Sequence, residues 1–503
     1  MPREPSVQRA SRGGRDRPAG FDRWDLWFLG AVVLLAFFAR VPRLTESLWY
    51  DEIAAWREYG IHGPRAIVTT YDDPANHIAH TLLSWCSVEL FFDALGQETA
   101  LRLPALLFSL GAVVAVHGLS RRAGSRRVAL LAAAAAAGAP VAVLEGVEAR
   151  GYSMMVFFAA SSSWVFLEVC AARRIRGWLV YGVLCALGVW SHMMMVFVPV
   201  GHAAWLLWRA IVGREHGQLV RGVSGLLFAA GLTLVLYAPV LGDIIGIRRI
   251  FISIEGDEPS PFGSEGLHTL LQLGGSWSWW AALPGLILAA IGFAHAVRSV
   301  EIRRVVAASM LGLPIAFVAV AAADSWLYAR FTLFVMPGVC LLIALGIDAL
   351  WRRRKWAGLV AACLLAACYA SDLAVRPAKQ PLREAASFVV TRRDDGEGVL
   401  IVGLGHRVMD VYGRSLDPAY SLFHGEDLPE ALEAGEPMWV IVMYPRSVPE
   451  DRYELLADRG YRLVRRFDGW VDWGNGDVLV YRRISRGEEV GVPPGQAPPR
   501  DGP

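Results

Sequence analysis

Residues 25–41 read DLWFLGAVVLLAFFARV, an apolar run that leads directly into Pro42 and Arg43. An apolar stretch of about 17–25 residues is long enough to cross the hydrocarbon core of a bilayer as a helix. A cleavable signal peptide has a short apolar core followed by a small-residue cleavage site, and here Arg40, Pro42 and Arg43 stand instead. The stretch therefore predicts a retained first transmembrane helix.

The composition of the whole chain agrees with a membrane protein. Of its 503 residues 54% are hydrophobic and 19% are charged, and the mean hydropathy is +0.38. These values are too apolar for a soluble protein of this length. The net charge of +2 favours no nucleic-acid partner. The cysteines lie in apolar stretches, so we interpret them as packing residues without a disulfide framework: Cys86, Cys170, Cys185, Cys340, Cys363 and Cys368.

Apolar segments recur along the chain and predict about eleven transmembrane helices. After the first, they lie near residues 99–119, 128–146, 152–171, 178–191, 193–210, 222–241, 276–297, 304–322, 328–349 and 356–373. With the N-terminus in the cytoplasm, the basic clusters fall in cytoplasmic loops, as the positive-inside bias requires. These clusters are Arg121–Arg122, Arg126–Arg127, Arg173–Arg174, Arg176, Arg209, Arg214, Arg221, Arg298, Arg303–Arg304 and Arg352–Lys355. We therefore expect a multi-pass protein of the cell membrane with an extracytoplasmic C-terminus.

Composition divides the chain into four parts. Residues 1–24 are basic and predict a disordered cytoplasmic tail, and residues 25–375 carry the helices, with a first extracytoplasmic loop at 42–98. Within that loop, residues 78–92 predict an interfacial amphipathic helix. Residues 376–484 alternate short apolar strands with helical runs, which is typical of a small extracytoplasmic α/β domain. The strands are predicted near 399–402, 439–443 and 478–481, and the helices near 381–391 and 449–459. Residues 485–503 are rich in Pro and Gly and predict a second disordered tail.

Two adjacent carboxylates, Asp51 and Glu52, follow the first span within the stretch LWYDEI. Charge is costly inside a bilayer, so the pair is expected at the interface, facing protein or water. That position suits a general base that meets a lipid-borne donor and a water-borne acceptor. The structural alternative is that both residues cap the start of an interfacial helix.

Residues 71–80, YDDPANHIAH, are dense in carboxylate, amide and imidazole groups. His77 and His80 are three residues apart and share a helix face, with Asp73 and Asn76 close by, which allows a divalent metal or an acceptor clamp. The alternative is a polar helix start with Asp72 or Asp73 as the N-cap and Pro74 at N1. The sequence leaves the metal open and requires no other cofactor.

Further ionisable residues stand at the predicted outer ends of helices. They are Glu145, Glu148, Arg150, Tyr152, His192, Asp324, Tyr328 and Arg330. Arg150 and Arg330 are candidate ligands of a lipid phosphate, because a guanidinium makes two hydrogen bonds to phosphate oxygens. The alternative for each arginine is snorkelling at the interface.

The stretches around 40–44 and 47–52, RVPRL and SLWYDE, resemble the first-loop signature of the GT-C glycosyltransferases. The similar branch contains the family 39 protein O-mannosyltransferases, the lipid A aminoarabinose transferases and the bacterial RgtA/B/C/D-like enzymes. Three further stretches match in order: residues 73–80, EARGY at 148–152, and YARF at 328–331 with Pro337. One departure is that residues 73–77 read DPANH where many relatives have a His-Pro-Pro segment, although an Asn-His version resembles one bacterial subgroup.

The resemblance implies a hexosyl- or pentosyltransferase of the cell envelope, similar to a mannosyltransferase. Its donor would be a polyprenyl-phosphate sugar in the membrane lipids, and its acceptor a glycan, lipid or protein outside the cytoplasm, with inversion at the sugar. Asp51 then matches the catalytic aspartate and Glu52 supports it. Arg150 and Arg330, together with Tyr152 and Tyr328, are predicted at the donor phosphate. Asp73, Asn76, His77, His80 and His192 are left for the acceptor or a metal.

Two other functions fit part of the pattern. A transporter or lipid flippase would also have many spans with ionisable residues, but the sequence has no inverted repeat and its polar residues cluster in outer loops. A ligase that joins a lipid-linked polymer to another lipid would share the donor, but would be expected to rely on a large outer loop rich in Arg and His. Here most of the polar residues lie in the first loop, with its carboxylates.

Overall fold

The computed structural model describes residues 23–172, 175–214, 216–251, 264–323, 327–403, 411–412, 420–422, 427–435, 437–471 and 475–484. The predicted C-terminal tail, most of the predicted N-terminal tail, and Asp324 lie outside these ranges.

The chain is mainly helical. Its first helices are α1 Arg23–Arg40, α2 Tyr50–Glu58, α3 Gly63–Thr69, α4 Ile78–Leu95, α5 Gln97–Arg121, α6 Arg126–Gly138, α7 Pro140–Leu144, α8 Tyr152–Ala172, α9 Ile175–Ser191 and α10 Phe197–Val212. Then follow α11 His216–Tyr237, α12 Leu241–Phe251, α13 Ser264–Gln272, α14 Trp279–Ala296, α15 Val300–Met310, α16 Gly312–Ala322, α17 Met336–Arg353 and α18 Lys355–Val375. Short 3₁₀ turns at Met193–Val196 and Ala329–Val335 precede α10 and α17.

Within the described residues, ten helices are long and apolar enough to cross a membrane, counting a helix together with its adjoining turns. All but Ile78–Leu95 coincide with predicted spans. The predicted spans near 128–146 and 178–191 are helical but shorter, and the first is divided between α6 and α7. Helix α4, expected as an interfacial helix, has the length and composition of a spanning one.

A buried arginine holds the break between α6 and α7. Arg40 ends α1 and is only 1% exposed. Its guanidinium donates to Ser109 Oγ at 2.7 Å and to the carbonyls of Ala137 at 2.9 Å and Ala142 at 3.1 Å. Carbonyls at a helix end lack intrahelical partners, so the arginine satisfies groups that the break at Pro140 leaves open.

The C-terminal region forms one five-stranded sheet. Its elements are α19 Leu382–Val390, β1 Val399–Val402, β2 Tyr420–Leu422, α20 Leu428–Ala434, β3 Trp439–Met443, α21 Glu450–Asp458, β4 Tyr461–Phe467 and β5 Val478–Arg483. The strand order is β2-β1-β3-β5-β4, with β1 parallel to β2 and β3, and β5 antiparallel to β3 and β4. The strands predicted near 399–402, 439–443 and 478–481 and the helices predicted near 381–391 and 449–459 are confirmed.

The sheet region packs directly against α2. Leu48, Trp49 and Ile53 share one buried cluster with apolar residues of α19, β1, β3 and β5. The backbone N–H of Tyr50 donates to Gln380 Oε1 at 3.0 Å, which ties the start of α2 to the segment before α19. The first loop is therefore clamped between the helical bundle and the sheet region.

Candidate active site

The start of α2 is fixed by Glu52. Its carboxylate is 1% exposed and accepts the backbone N–H of Trp49 at 3.1 Å, which satisfies a donor that the helix start leaves open. The other partners are Arg102 of α5, whose Nε and Nη2 lie at 2.9 and 2.6 Å, and the N–H of Ala149 at 2.6 Å. Burial alone would raise the pKa of Glu52, but the Arg102 cation and these hydrogen bonds lower it. Glu52 is thus a fully paired anchor of the helix.

Asp51 has a different environment one residue earlier. Its side chain is 21% exposed, and its Oδ2 lies 3.5 Å from Arg150 Nη2 and 3.9 Å from Arg330 Nη2. Arg150 comes from the turn before α8, and Arg330 from the 3₁₀ turn before α17. The bundle therefore brings two predicted phosphate ligands to the predicted catalytic carboxylate.

Arg150 is held rigidly in this position. It is 4% exposed and donates to the carbonyl of Ala75 at 2.7 Å and to that of Asp51 at 3.4 Å. Its Nη2 also lies 3.4 Å from His77 Nε2. Burial opposes the charge, but the Asp51 carboxylate together with Tyr152 and Asp73 raises the pKa of Arg150. A buried, oriented cation of this kind is unlike an arginine that snorkels at an interface.

Two histidines line the same site as neutral rings. His77 Nδ1 accepts the backbone N–H of Gly151 at 2.7 Å, and its ring lies 4.5 Å from that of His192 and 5.5 Å from that of Tyr152, centroid to centroid. Burial and the nearby Arg150 cation hold the pKa of His77 well below its usual value. The same two causes lower the pKa of His192 to about 3.

Arg330 is surrounded by aromatic rings. Its Nε donates to Tyr152 Oη at 3.2 Å, and its guanidinium carbon lies 4.1 Å from the ring centroid of Tyr328 and 5.5 Å from that of Trp49. A guanidinium attracted to several ring faces is held in a defined orientation. Both tyrosines predicted at the donor phosphate therefore contact this arginine.

A lysine from the sheet side completes the polar cluster. Lys379 Nζ lies 3.9 Å from the ring centroid of Trp49, and forms ion pairs with Glu145, at 3.2 Å, and with Glu148. Burial disfavours the ammonium, but these carboxylates raise the pKa of Lys379. Burial and the neighbouring Glu145 raise the pKa of Glu148 well above its usual value. Because two buried carboxylates share one cation, Glu148 tends to keep its proton.

Comparisons with known proteins concern the family and the fold of the chain. Residues 78–242 match a family model described as dolichyl-phosphate-mannose-protein mannosyltransferase. ArnT from Cupriavidus metallidurans bound to undecaprenyl phosphate has a TM-score of 0.55 at 13% identity, covering 92% of this chain and 98% of that one. Over residues 78–242 the chain therefore resembles the family 39 glycosyltransferases, and its fold resembles that of ArnT.

Other solved structures also resemble the chain. ArnT in its apo state has a TM-score of 0.53 at 13% identity, with the same coverage. The archaeal oligosaccharyltransferase AglB from Archaeoglobus fulgidus, solved with an inhibitory peptide and a dolichol-phosphate, has a TM-score of 0.49 at 13% identity, covering 93% of this chain and 75% of that one. No curated protein sequence matches significantly. At such identities the structural likeness concerns the fold, while the family model supports a transferase.

Three of the residues predicted for an acceptor or a metal make hydrogen bonds within the first loop and α4. Asn76 Nδ2 donates to the carbonyls of Ile67 and Thr70, both at 3.0 Å. Asp73 Oδ1 accepts the N–H of Ala75 at 2.7 Å, and helix α4 begins only at Ile78, so Asp73 is not its N-cap.

The third of these residues is His80, which is 1% exposed on α4 with its Nδ1 3.3 Å from Ser84 Oγ. Its partner is therefore on its own helix, and His77 points to Arg150 and Gly151. Among the described residues, no group of three or more His, Cys, Asp or Glu side chains could hold a metal ion.

Arg102 and Lys379 were not predicted as site residues. Arg102 lies in an apolar helix, and nothing in its local sequence identifies Glu52 as its partner. For Lys379 there is one signal, because the chain has 49 basic residues and only Lys355 and Lys379 are lysines. In an arginine-rich chain, a lysine just after the last span is unusual. Its ammonium is more compact than a guanidinium, and its pKa shifts more readily when it is buried.

Proposed function

We propose that this protein transfers a sugar from a polyprenyl-phosphate donor to a hydroxyl acceptor outside the cytoplasm, with inversion. The observation that carries the proposal is the partly exposed Asp51 carboxylate between two arginines, 3.5 Å from Arg150 and 3.9 Å from Arg330. Undecaprenyl phosphate is bound by ArnT, which has the same fold, and this supports a lipid phosphate as the leaving group.

Arg150 and Arg330 are the proposed ligands of the donor phosphate. Both guanidinium groups face the Asp51 carboxylate, so an anion arriving beside it would meet two cations already in place. Preorganised cations stabilise charge that develops as a bond breaks, without reorganisation at the moment of reaction. Tyr152 and Tyr328 support this role by orienting Arg330.

Asp51 is the proposed general base. The acceptor oxygen forms a bond to the anomeric carbon of the sugar. At the same time the bond between that carbon and the phosphate oxygen breaks, and the electron pair of the broken bond stays on the phosphate oxygen. The acceptor proton passes to the Asp51 carboxylate, and the products are the glycosylated acceptor and the polyprenyl phosphate. A single displacement of this kind inverts the anomeric carbon, because the acceptor attacks the face opposite the leaving group.

Glu52, the carboxylate next to Asp51, is not proposed to take part in proton transfer. Its two oxygens are occupied by Arg102, Ala149 and Trp49, and its side chain has no measurable exposure. It is proposed to support Asp51 by fixing the first turn of α2. Its proposed role is therefore structural support of Asp51, and it does not act as a base.

The test is incubation of the purified protein with a panel of radiolabelled polyprenyl-phosphate sugars and with hydroxyl-bearing acceptors from the cell envelope. Release of label from one carrier, with the sugar found on an acceptor in inverted configuration, is the expected result. Label that moves across the bilayer of a proteoliposome while staying on its carrier would refute the transferase and support a flippase. The Asp51→Asn variant is the control, because it should bind the carrier and transfer nothing.

A further inference from the structure

A basic cavity lies at the end of the bundle opposite the candidate active site. It is bordered by the C-terminal ends of α8 and α10 and by the N-terminal ends of α11 and α15, with about 1230 Å³ of empty space open to solvent. The active site is at the other end of α8, where Tyr152 stands. Since a helix rises about 1.5 Å per residue, the 21 residues of α8 separate the two regions by roughly 30 Å.

Arginines dominate the lining of this cavity. Those on its wall are Arg122, Arg209, Arg214, Arg221 and Arg304, joined by His216 and Gln218. One carboxylate, Glu301, lines it and lies 3.5 Å from Arg304, while Glu168 pairs with Arg122 at 3.2 Å. Arg214 and Arg221 form no ion pair with another described residue. The described wall therefore carries an excess of positive charge.

Local backbone geometry adds to that charge. The cavity wall includes residues 216–218, the first turn of the 22-residue helix α11, whose N–H groups have no intrahelical acceptor. Arg304 Nε, which is buried, has no hydrogen-bond partner among the described residues. Donors of both kinds among the residues that line one cavity suit an oxyanion with several acceptor oxygens.

The cavity is also continuous with apolar surface. Leu167, Trp205 and Val305 lie on its wall, and two valines beside it are exposed, Val212 by 61% and Val220 by 70%. In a helical bundle that spans a membrane, exposed aliphatic side chains beside a basic cluster face lipid chains. A ligand with a phosphate and a hydrocarbon chain fits both surfaces, whereas a free anion fits only the first.

We propose that this cavity binds the headgroup of an anionic phospholipid on the membrane face opposite the active site. Basic cavities between transmembrane helices are a general means of holding phosphate headgroups, and each arginine contributes attraction to an anionic leaflet. The proposal does not depend on the transferase function, because it uses none of the residues of the active site.

The experiment is native mass spectrometry of the full-length protein in detergent, titrated with phosphatidylglycerol, phosphatidylcholine or inorganic phosphate. Phosphatidylglycerol should bind in preference to the other two. Combined Arg209→Gln, Arg214→Gln and Arg221→Gln changes should weaken its binding by at least about tenfold. The charge-matched control changes Arg298, Arg353 and Arg354 to Gln, which are exposed and do not line the cavity.

Three results would overturn the proposal. Equal loss in the control variant would mean that diffuse surface charge holds the lipid. Unchanged binding in the triple variant would place the lipid elsewhere, and inorganic phosphate binding as tightly as phosphatidylglycerol would mean a site for a free anion. If the triple variant unfolds at a lower temperature than the parent, Arg221→Gln alone replaces it, with a loss of about fivefold expected and no loss counting against the site.

Discussion

Changing Glu52 to Gln is expected to destabilise the fold, although the two side chains have nearly the same shape. The substitution removes the only carboxylate within ion-pair distance of Arg102 among the described residues, where the two side chains are 0% and 5% exposed. Removing one partner of a buried pair leaves an uncompensated charge and costs about 3–5 kcal/mol. Arg102 keeps hydrogen bonds to the carbonyls of Arg43, Glu46 and Ser47, so the lower end of that range, about 3 kcal/mol, is expected.

The assay is thermal unfolding of the purified protein in detergent, followed by tryptophan fluorescence. Glu46→Gln is the matched control, because Glu46 pairs with Arg43 at 2.8 Å but is 28% exposed, and exposed pairs contribute only about 0–1 kcal/mol. Asp51→Asn should unfold near the parent temperature while its turnover falls by about 10²–10⁴-fold, the usual contribution of a general base. Donor affinity should change far less than turnover.

Two outcomes would refute this reasoning. If Glu52→Gln unfolds with the parent and abolishes turnover while Asp51→Asn stays active, the roles of the two carboxylates are reversed. If both variants keep near-normal turnover, the reaction occurs elsewhere and the transporter alternative gains support.

Four further expectations follow from the site and from the charge pattern. Ala at Arg150 or Arg330 should weaken donor binding in a titration, with only partial rescue by Lys, and unchanged affinity in both would leave them as anchors. Lys379→Met should lower the unfolding temperature, increasingly as pH rises above about 4.5, because burial and Glu145 hold the pKa of Glu148 above its usual value of 4.5 and the unfolded chain releases that proton more readily. For His192, whose pKa is lowered to about 3, stability should fall by about 2 kcal/mol between pH 7 and 5 because the unfolded chain takes up the proton, and His192→Gln should remove that share. A reporter fused after Val375 should behave as secreted, and cytoplasmic activity there would change the helix count by one.

The sequence predicted those features that depend on residues close together in the chain. Apolar length predicted most spans, and strands such as Val399–Val402 were recognisable as short apolar runs between polar ones. The convergence of Asp51, Arg150 and Arg330 was also within reach, because the positive-inside pattern assigns all three to the same face.

Contacts between residues far apart in the chain could not be predicted from the sequence. Glu52 and Arg102 are 50 residues apart, and the sequence does not distinguish a carboxylate held by a buried arginine from one that awaits a substrate. Likewise Lys379 and Glu148 are 231 residues apart and meet only because the sheet region packs on the first loop. Asn76, which a motif of polar residues suggested for acceptor binding, is used by the loop to satisfy its own carbonyls.

The different surroundings of Asp51 and Glu52, and the different roles proposed for them, follow from the geometry of a first helical turn. Successive positions on a helix point about 100° apart, so adjacent carboxylates cannot share one environment. Glu52 points to Arg102 on α5 and fixes α2 in rotation, and this fixes Asp51 toward the arginines before α8 and α17. A variant at Glu52 therefore reaches the reaction through the position of Asp51, because the backbone joins them. Loss of turnover at Glu52 alone cannot identify a base, and only unfolding and turnover measured on the same variants separate the anchor from the proton acceptor.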